Sequence, residues 1–356
     1  MIQLCKFNFY YCNVKVQSMG KRIFIIIISL FFVVLVACKQ EIHYSVDVSK
    51  INLELPFYRF DKELYQIPND SLSKKAFALI NRYPQFMQLY AYRIIKIGNP
   101  YSKDFASRLQ VFKSDYVVSN AYDVVEKKFV DMSAFEHDLT NAFKCYHYYF
   151  PKHSVPKVYT FVSGFNQAIV VDSNLLGIGL DFYLGSQCKY YRELAFPRYI
   201  IEKMNANMML HDALWGWLTA EFPISDTENN LLANMIYYGK IQYALNTCLP
   251  IDYPDSLKFG IESDKLNWCV DNEEQMWTYF VEKKLLFSQK YLQIKKFIDE
   301  APFTTPFGQQ SPARTGVWIG TRIVEAYMKN NPSVSLEQLM AEKNFQKILT
   351  LSQYNP

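Results

Sequence analysis

The chain has 356 residues, half of them apolar and 17% aromatic, a composition that argues against long disordered segments. Its formal net charge of +4 arises within residues 1–37, which hold four basic residues and no acid, so the remainder carries 34 basic and 34 acidic residues. This balance argues against nucleic acid as a partner, because such binding is driven by the neutralisation of phosphates.

The beginning of the chain is typical of an export signal. Lys21 and Arg22 form a positive region, and residues 23–36 form an apolar run of 14 residues interrupted only by Ser29. A signal peptide core has roughly 7–15 apolar residues, whereas a bilayer span needs about 18–20. Residues 1–18 lack this gradient, so we expect translation to start at Met19.

The apolar run ends in Leu35-Val36-Ala37-Cys38, after which the chain turns polar. Lipoprotein signal peptidase cleaves between small residues and a cysteine, whose thiol accepts a diacylglyceryl group. We therefore predict a leader and signal peptide at 1–37, a lipidated Cys38 and a lipid-anchored tether at 38–50. A transmembrane anchor or a signal without lipid is the alternative.

Cys38→Ser is expected to abolish the incorporation of labelled fatty acid and to leave an unprocessed precursor, because only a thiol accepts the lipid. Detergent and not salt should release the wild-type protein from membranes, since several acyl chains hold a protein firmly in the bilayer. Metabolic labelling and membrane fractionation measure both effects. A Cys38→Ser protein that is still processed and labelled would show that the site is elsewhere.

Residues 51–356 are predicted to form a single α+β domain, mostly helical with a small antiparallel sheet. A strand is expected at Leu53–Phe60, and helical periodicity follows from Asp61 to about Phe150. Turn residues then separate three short β-type runs, at Val158–Val162, Gln167–Val171 and Leu176–Leu180.

The chain after Pro197 is predicted to be helix and loop. Helix starts are indicated by Ser225-x-x-Glu228, Asp271-x-x-Glu274 and Ser335-x-x-Gln338. A further helix is expected at Gly316–Met328. Its glycines fit either an anion site at the helix N-terminus or close helix packing.

The segment His211-Asp212-x-x-Trp215 resembles the H-E-x-x-H motif of zinc peptidases. That motif needs two histidines one helical turn apart, with a carboxylate between them to polarise water. Here Trp215 replaces the second histidine, and Glu221 and Glu228 could in principle supply carboxylate ligands, too few without a second imidazole. His211 and Asp212 are thus weak metal candidates, and the competing interpretation places His211 in a packed core.

A second candidate segment contains Gly177, Gly179, Asp181, Tyr183 and Gly185. We interpret its glycines as structural, serving a β-hairpin and the turn after it. The alternative is a binding cleft at the edge of the sheet.

Four cysteines follow Cys38, namely Cys145, Cys188, Cys248 and Cys269. They contain no C-x-x-C motif, which argues against metal or thioredoxin-like chemistry. Export permits disulfides, so bridges and buried free thiols both stay open.

Several short motifs occur in order along nearly the whole mature chain: Tyr58-Arg59-Phe60-Asp61, Tyr83-Pro84-x-Phe86, Val162-Ser163-Gly164-Phe165-Asn166, Gly177-Ile178-Gly179-Leu180-Asp181-x-Tyr183-Leu184-Gly185, Met235-Ile236-x-x-Gly239-Lys240-x-x-Tyr243, and Ser311-Pro312 with Gly316-x-Trp318-Ile319-Gly320. This ordered set resembles the gliding-motility-associated lipoprotein GldB family of Bacteroidota. The resemblance implies an exported, lipid-anchored protein of the cell envelope that is linked to gliding and secretion machinery. It also implies a more distant likeness to zincin-type metallopeptidases, and hence a zincin-like core.

The sequence therefore allows two functions. In the first, the chain is a non-catalytic envelope lipoprotein, held to a membrane through Cys38, that needs no cofactor and acts through envelope protein partners. In the second, it is a divergent metallopeptidase centred on His211. A solute-binding lipoprotein is disfavoured, because the chain lacks the two-lobed alternation of strands and helices.

Overall fold

Residues 46–224 and 229–356 are described by the structure, which is a computed structural model. The leader, Cys38 and the proposed Ser225-x-x-Glu228 helix start lie outside the described residues. The described residues belong to one compact unit, mostly helical with a single small sheet, so the α+β class is confirmed. None of the described helices has both the length and the hydropathy of a membrane span.

The sheet is mixed, and the expectation of an antiparallel sheet is wrong in this respect. Its four strands are β1 (Phe57–Tyr58), β2 (Lys157–Phe161), β3 (Ile169–Asp172) and β4 (Leu175–Gly179), in the spatial order β1-β2-β4-β3. β2 pairs in parallel with both β1 and β4, and only β3 and β4 are antiparallel.

The reason lies in the path of the chain after β2. It passes the position of β4, forms β3 at the far edge and returns through a turn at Ser173, where φ is +47°. β4 is therefore an inner strand, and all five of its residues are buried. A continuous apolar run is typical of such a strand, but it does not specify which neighbours the strand pairs with.

Helices before and beside the sheet confirm the helical periodicity predicted from Asp61 to Phe150. They are α1 (Phe60–Tyr65), α2 (Leu72–Arg82), α3 (Pro84–Leu89), α4 (Phe105–Ser114), α5 (Tyr116–Lys128) and α6 (Ser133–Tyr149). Pro84 starts α3, at a position where its missing N–H costs nothing. The Asp115 carboxylate caps α5 by accepting from the backbone N–H groups of Val117 and Val118.

The helices after β4 make up the rest of the unit. They are α7 (Lys189–Glu193), α8 (Arg198–Ile201), α9 (Met209–Glu221), α10 (Leu231–Cys248), α11 (Asp255–Phe259), α12 (Ser263–Asp271), α13 (Glu273–Glu282), α14 (Tyr291–Ile298), α15 (Thr315–Asn330), α16 (Leu336–Ala341) and α17 (Phe345–Ser352). Ser335 and Gln338 form the predicted capping box of α16. Asp271, in contrast, ends α12 instead of starting a helix, and α13 begins at Glu273.

Helices cover both faces of the sheet, so the unit has three layers. Tyr159 and Phe161 point from β2 into the first apolar cluster, which α1 to α4 supply. Val158, Leu176 and Ile178 point from the opposite face into the larger cluster, which includes α6, α9, α10 and α15. Because side chains alternate across a strand, one short strand contributes to both cores.

Gly239 of α10 and Gly320 of α15 let these two helices cross in close contact. A Cβ atom on Gly320 would overlap the carbonyl of Met235, and one on Gly239 would overlap the backbone of Gly320. Gly316 likewise lies against the carbonyl of Phe297. Of the two interpretations offered for the α15 glycines, the structure supports close packing.

Candidate functional site

Helix α9 carries the His211-Asp212-x-x-Trp215 segment and packs against the edge strand β3. Gly216 faces the sheet, where an added Cβ atom would lie 2.6 Å from Ile169 Cγ2. The missing side chain therefore brings the helix close to the strand. His211 lies buried in the first turn, whereas Asp212 and Trp215 are half-buried.

Asp212 connects His211 to Tyr183. His211 Nδ1 lies 2.8 Å from Asp212 Oδ1, and the Tyr183 hydroxyl donates to Asp212 Oδ2 at 3.0 Å. Burial, reinforced by the Asp212 charge, raises the pKa of Tyr183 well above its ordinary value, so the phenol keeps its proton as a donor. Both Asp212 oxygens thus have partners, while His211 Nε2 is buried without a partner among the described residues.

Three rings stack in a row beside this network, and we call them the stacked column: His211, Trp215 and Tyr238. The centroids of His211 and Trp215 are 5.8 Å apart with 14° between the ring planes. Tyr238, from α10, also stacks with Trp215, with ring centroids 6.0 Å apart and 3° between the ring planes. The Arg314 guanidinium lies 4.4 Å from the centre of the Trp215 ring, within the range of a cation–π contact.

The position of Arg314 is fixed by its backbone conformation and by an ion pair. The residue precedes α15 with φ at +60°, a backbone conformation uncommon outside glycine. Its guanidinium lies 3.4 Å from Glu300, which also pairs with Lys203 at 2.6 Å. Burial alone would raise the pKa of Glu300, but Lys203 and Arg314 hold it below its ordinary value. Glu300 therefore stays ionised and anchors the cation above the indole.

A cavity of about 330 Å³ adjoins Arg314. Its walls come from the approach to α9, from α11 and α12, and from the loop before α15. Lys203, Lys265 and Arg314 line it together with Glu202 and Glu262, so its charges nearly balance. The volume is within the range of small-molecule sites, but the mixed charge does not select one ligand class.

The other predicted metal ligands do not join His211. Glu221 lies ten residues further along α9, a rise of about 15 Å, and its Oε2 is 2.9 Å from His153 Nδ1. Glu228 lies outside the described residues. Among the residues that the structure describes, no three His, Cys, Asp or Glu side chains are grouped to hold a metal ion.

Asp181, in the second candidate segment, is an internal anchor for the loop after β2. Its Oδ2 accepts from the backbone N–H of Phe165 at 2.6 Å and of Ser163 at 3.1 Å, and from the Ser163 hydroxyl at 3.1 Å. Gly164 and Phe165 both have positive φ, which turns this loop around the carboxylate. Burial raises the pKa of Asp181 to about 6, although these hydrogen bonds oppose the shift.

As pH rises from about 4 to about 6, the ionisation of Asp181 is expected to lower the free energy of unfolding. Its pKa rises from 3.8 when unfolded to about 6 when folded, so the folded state binds the proton more tightly. Ionisation above that range costs the folded state about 3 kcal/mol. Urea unfolding at a series of pH values should show this slope in the wild type and not in Asp181→Asn. Equal slopes in both proteins would contradict the assignment.

The glycines of this segment lie at close approaches or at a turn. A Cβ atom on Gly177 would lie 2.8 Å from the Phe161 ring, and one on Gly179 would overlap the carbonyl oxygen of Gln167. Gly185 has φ at +102°, and its N–H donates to the carbonyl of Met204. These features agree with the structural interpretation, and Tyr183 joins the segment to Asp212.

Sequence reasoning missed Tyr238, Glu300 and Arg314. Tyr238 lies in the motif around Gly239, but nothing in that motif indicates a contact with Trp215. Glu300 and Arg314 follow α14 in a loop and reach α9 only through the fold. The left-handed backbone of Arg314 has no signature in its residue type.

Comparison with known proteins gives one match. A family model described as gliding motility protein GldB matches residues 41–356. No curated protein and no solved structure matches the chain. The zincin-like core consequently stays a prediction.

Proposed function

Since the chain belongs to the GldB family of gliding motility proteins, we propose that it acts in the cell envelope by binding protein partners and not by hydrolysing peptides. Membership of this family supports the assignment of the chain as a lipoprotein-type protein of the cell envelope. The lipid on Cys38, the partners and the lack of catalysis are parts of this proposal.

The stacked column is the observation that carries the proposal. Catalytic zinc needs three protein ligands and one open position for water. The three rings that converge here supply one imidazole, and the other two are an indole and a phenol in nearly parallel stacking. The Trp215 N–H can donate a hydrogen bond but offers no lone pair to a metal.

The charges around the column support the same function. Arg314 covers Trp215, and a cation at 4.4 Å from the ring centre opposes the approach of a second cation. Aromatic residues and arginine are enriched where proteins bind one another. The half-buried Trp215, Tyr238 and Arg314 are therefore the surface at which we expect a partner to bind.

One feature of His211 is compatible with the metallopeptidase alternative. A zinc-binding histidine commonly donates its second ring N–H to a carboxylate, which leaves the other nitrogen free for the metal. Asp212 is placed to accept from His211 Nδ1, and His211 Nε2 has no partner among the described residues. Metal binding at His211 therefore has to be tested directly.

His211→Ala is expected to lower the free energy of unfolding by about 1–2 kcal/mol, because it truncates a buried side chain. It should leave peptidase activity unchanged, since the wild-type protein should have none. Purified wild-type protein should contain no equimolar zinc and cleave no peptide. Metal analysis, a peptide-library assay with and without chelator, and urea unfolding provide the measurements. A chelator-sensitive activity that is lost in His211→Ala would establish the alternative.

Partner binding is tested by affinity purification of the tagged full-length lipoprotein from solubilised envelopes. Arg314→Gln should reduce the recovered partner several-fold, because it removes the cation from Trp215. Arg198→Gln is a matched control, since it also breaks an arginine–glutamate pair but on an exposed helix. Equal recovery with both variants would show that the column is not the binding surface.

A further inference from the structure

Cys145 and Cys248 lie together in the larger apolar cluster, although 102 residues separate them in the chain. Cys145 is in the last third of α6, and Cys248 is the final residue of α10. The Cys145 thiol donates to the carbonyl of Thr247 at 3.2 Å, which brings its sulfur beside the peptide bond that leads into Cys248.

We propose that Cys145 and Cys248 form a disulfide in the exported protein. The Cys145 sulfur lies beside the peptide bond that leads into Cys248, and the Cys145 thiol is close enough to Cys248 to raise the pKa of its thiol. From this position, a change of side-chain rotamer and a small shift of the helices would bring the two sulfur atoms to the ~2.05 Å of a disulfide bond. Among the described residues, the groups that shift the pKa values of Cys188 and Cys269 include no other cysteine, so Cys145 and Cys248 are the pair suited to a bridge.

The proposal rests on the envelope location, because that compartment allows disulfides to form and persist. The oxidant is a disulfide of an envelope thiol–disulfide oxidoreductase. One thiol first forms a mixed disulfide with this donor, and the second, as thiolate, displaces the donor's sulfur. The protein gains one S–S bond and loses two thiol protons, while the donor's disulfide is reduced to a dithiol.

Burial determines when the reaction takes place. Cys145 is 5% exposed and Cys248 is 3% exposed, so a protein oxidant reaches neither after folding. The neighbouring Cys145 thiol and burial also raise the pKa of Cys248 well above its ordinary value, and the neutral thiol reacts slowly. Oxidation therefore occurs during folding, before the larger cluster closes, and the bond is then protected.

The bridge would tie α6 to the end of α10 and close a loop that includes β2, β3, β4 and α9. The candidate site at His211 and Trp215 lies within that loop. A disulfide that closes this loop lowers the conformational entropy of the unfolded chain, and the expected stabilisation increases with the length of the loop.

The test is performed on protein isolated from envelopes with immediate alkylation under denaturing conditions. Mass spectrometry of proteolytic peptides should find Cys188 and Cys269 alkylated, and the peptides of Cys145 and Cys248 joined until a reductant is added. Alkylated, unlinked Cys145 and Cys248 would overturn the proposal, as would a cross-link to another cysteine. This measurement needs no variant and does not depend on the partner-binding function.

A second measurement compares melting with and without reductant. Reduction should lower the melting temperature of the wild type by about 5–10 °C, as the loss of a few kcal/mol does in a domain of this size. Cys145→Ser should melt near the reduced wild type and be insensitive to reductant. Cys269→Ser, a matched change at another buried cysteine, should keep its sensitivity. Equal melting of oxidised and reduced wild type would contradict a stabilising bridge.

Discussion

Gly320→Ala is expected to give the largest loss of stability of any single methyl addition in this protein. The new Cβ atom would overlap the carbonyl oxygen of Met235, so α10 and α15 have to move apart. Overpacking typically costs about 1–3 kcal/mol, and more where backbone has to shift. The gain of about 1 kcal/mol from replacing glycine in a helix is too small to offset it. We expect a loss above about 3 kcal/mol in urea unfolding.

Gly216→Ala is the matched comparison. It makes the same change in the interior of α9, but the new methyl meets the Cγ2 methyl group of Ile169 at 2.6 Å. A side chain can rotate where a backbone carbonyl cannot, so the loss should be clearly smaller. If both variants lose equal stability, the close crossing of α10 and α15 is not the cause.

Gly179→Val should have a comparable effect on the sheet. Gly179 ends β4 and donates its N–H to the carbonyl of Ala168 at 2.7 Å, and an added Cβ atom would overlap the carbonyl oxygen of Gln167. A valine would therefore push β3 away from β4 and disturb the loop that holds Asp181. Differential scanning calorimetry should show a melting temperature lower by about 10 °C or more, or no folded protein.

Gly185→Val is the graded control for this prediction. Its position is otherwise open, with Lys128 Nζ 3.5 Å from an added Cβ, but φ is +102°. The cost is backbone strain of about 1–3 kcal/mol, without displacement of a strand. Unchanged melting of both variants with lost partner binding would instead show that the segment is a recognition surface.

The helices could be predicted from the sequence more completely than the sheet. Periodicity and capping residues are local, so the helix after Gly316 and the capping box at Ser335 are where they were expected. The parallel pairing of β2 with β4 depends on a crossing of the chain that no local pattern encodes. Of the strand expected at Leu53–Phe60, only Phe57 and Tyr58 join the sheet, beside Val158 and Tyr159, and Phe60 already begins α1.

The site shows the same division between local and distant contacts. The motif on α9 could be found because His211, Asp212 and Trp215 are adjacent in sequence. Tyr238 and Arg314 complete the surroundings of Trp215 from α10 and from the start of α15, and no spacing rule relates them to His211. His153 pairs with Glu221 at the end of α9 opposite to His211, a contact that no spacing in the sequence indicates.

The contact of α10 with α15 also bears on the order in which the domain folds. α10 ends at Cys248, yet α15, against which it packs most extensively, begins only at Thr315, so a long stretch of chain must be ordered before these two helices meet. Closing such a loop loses entropy before any contact compensates for it. The contacts of α10 with α9, which are nearer in the chain, are therefore expected to form first. The crossing at Gly239 and Gly320 then closes the core late in folding, when residues 315–330 dock on α10.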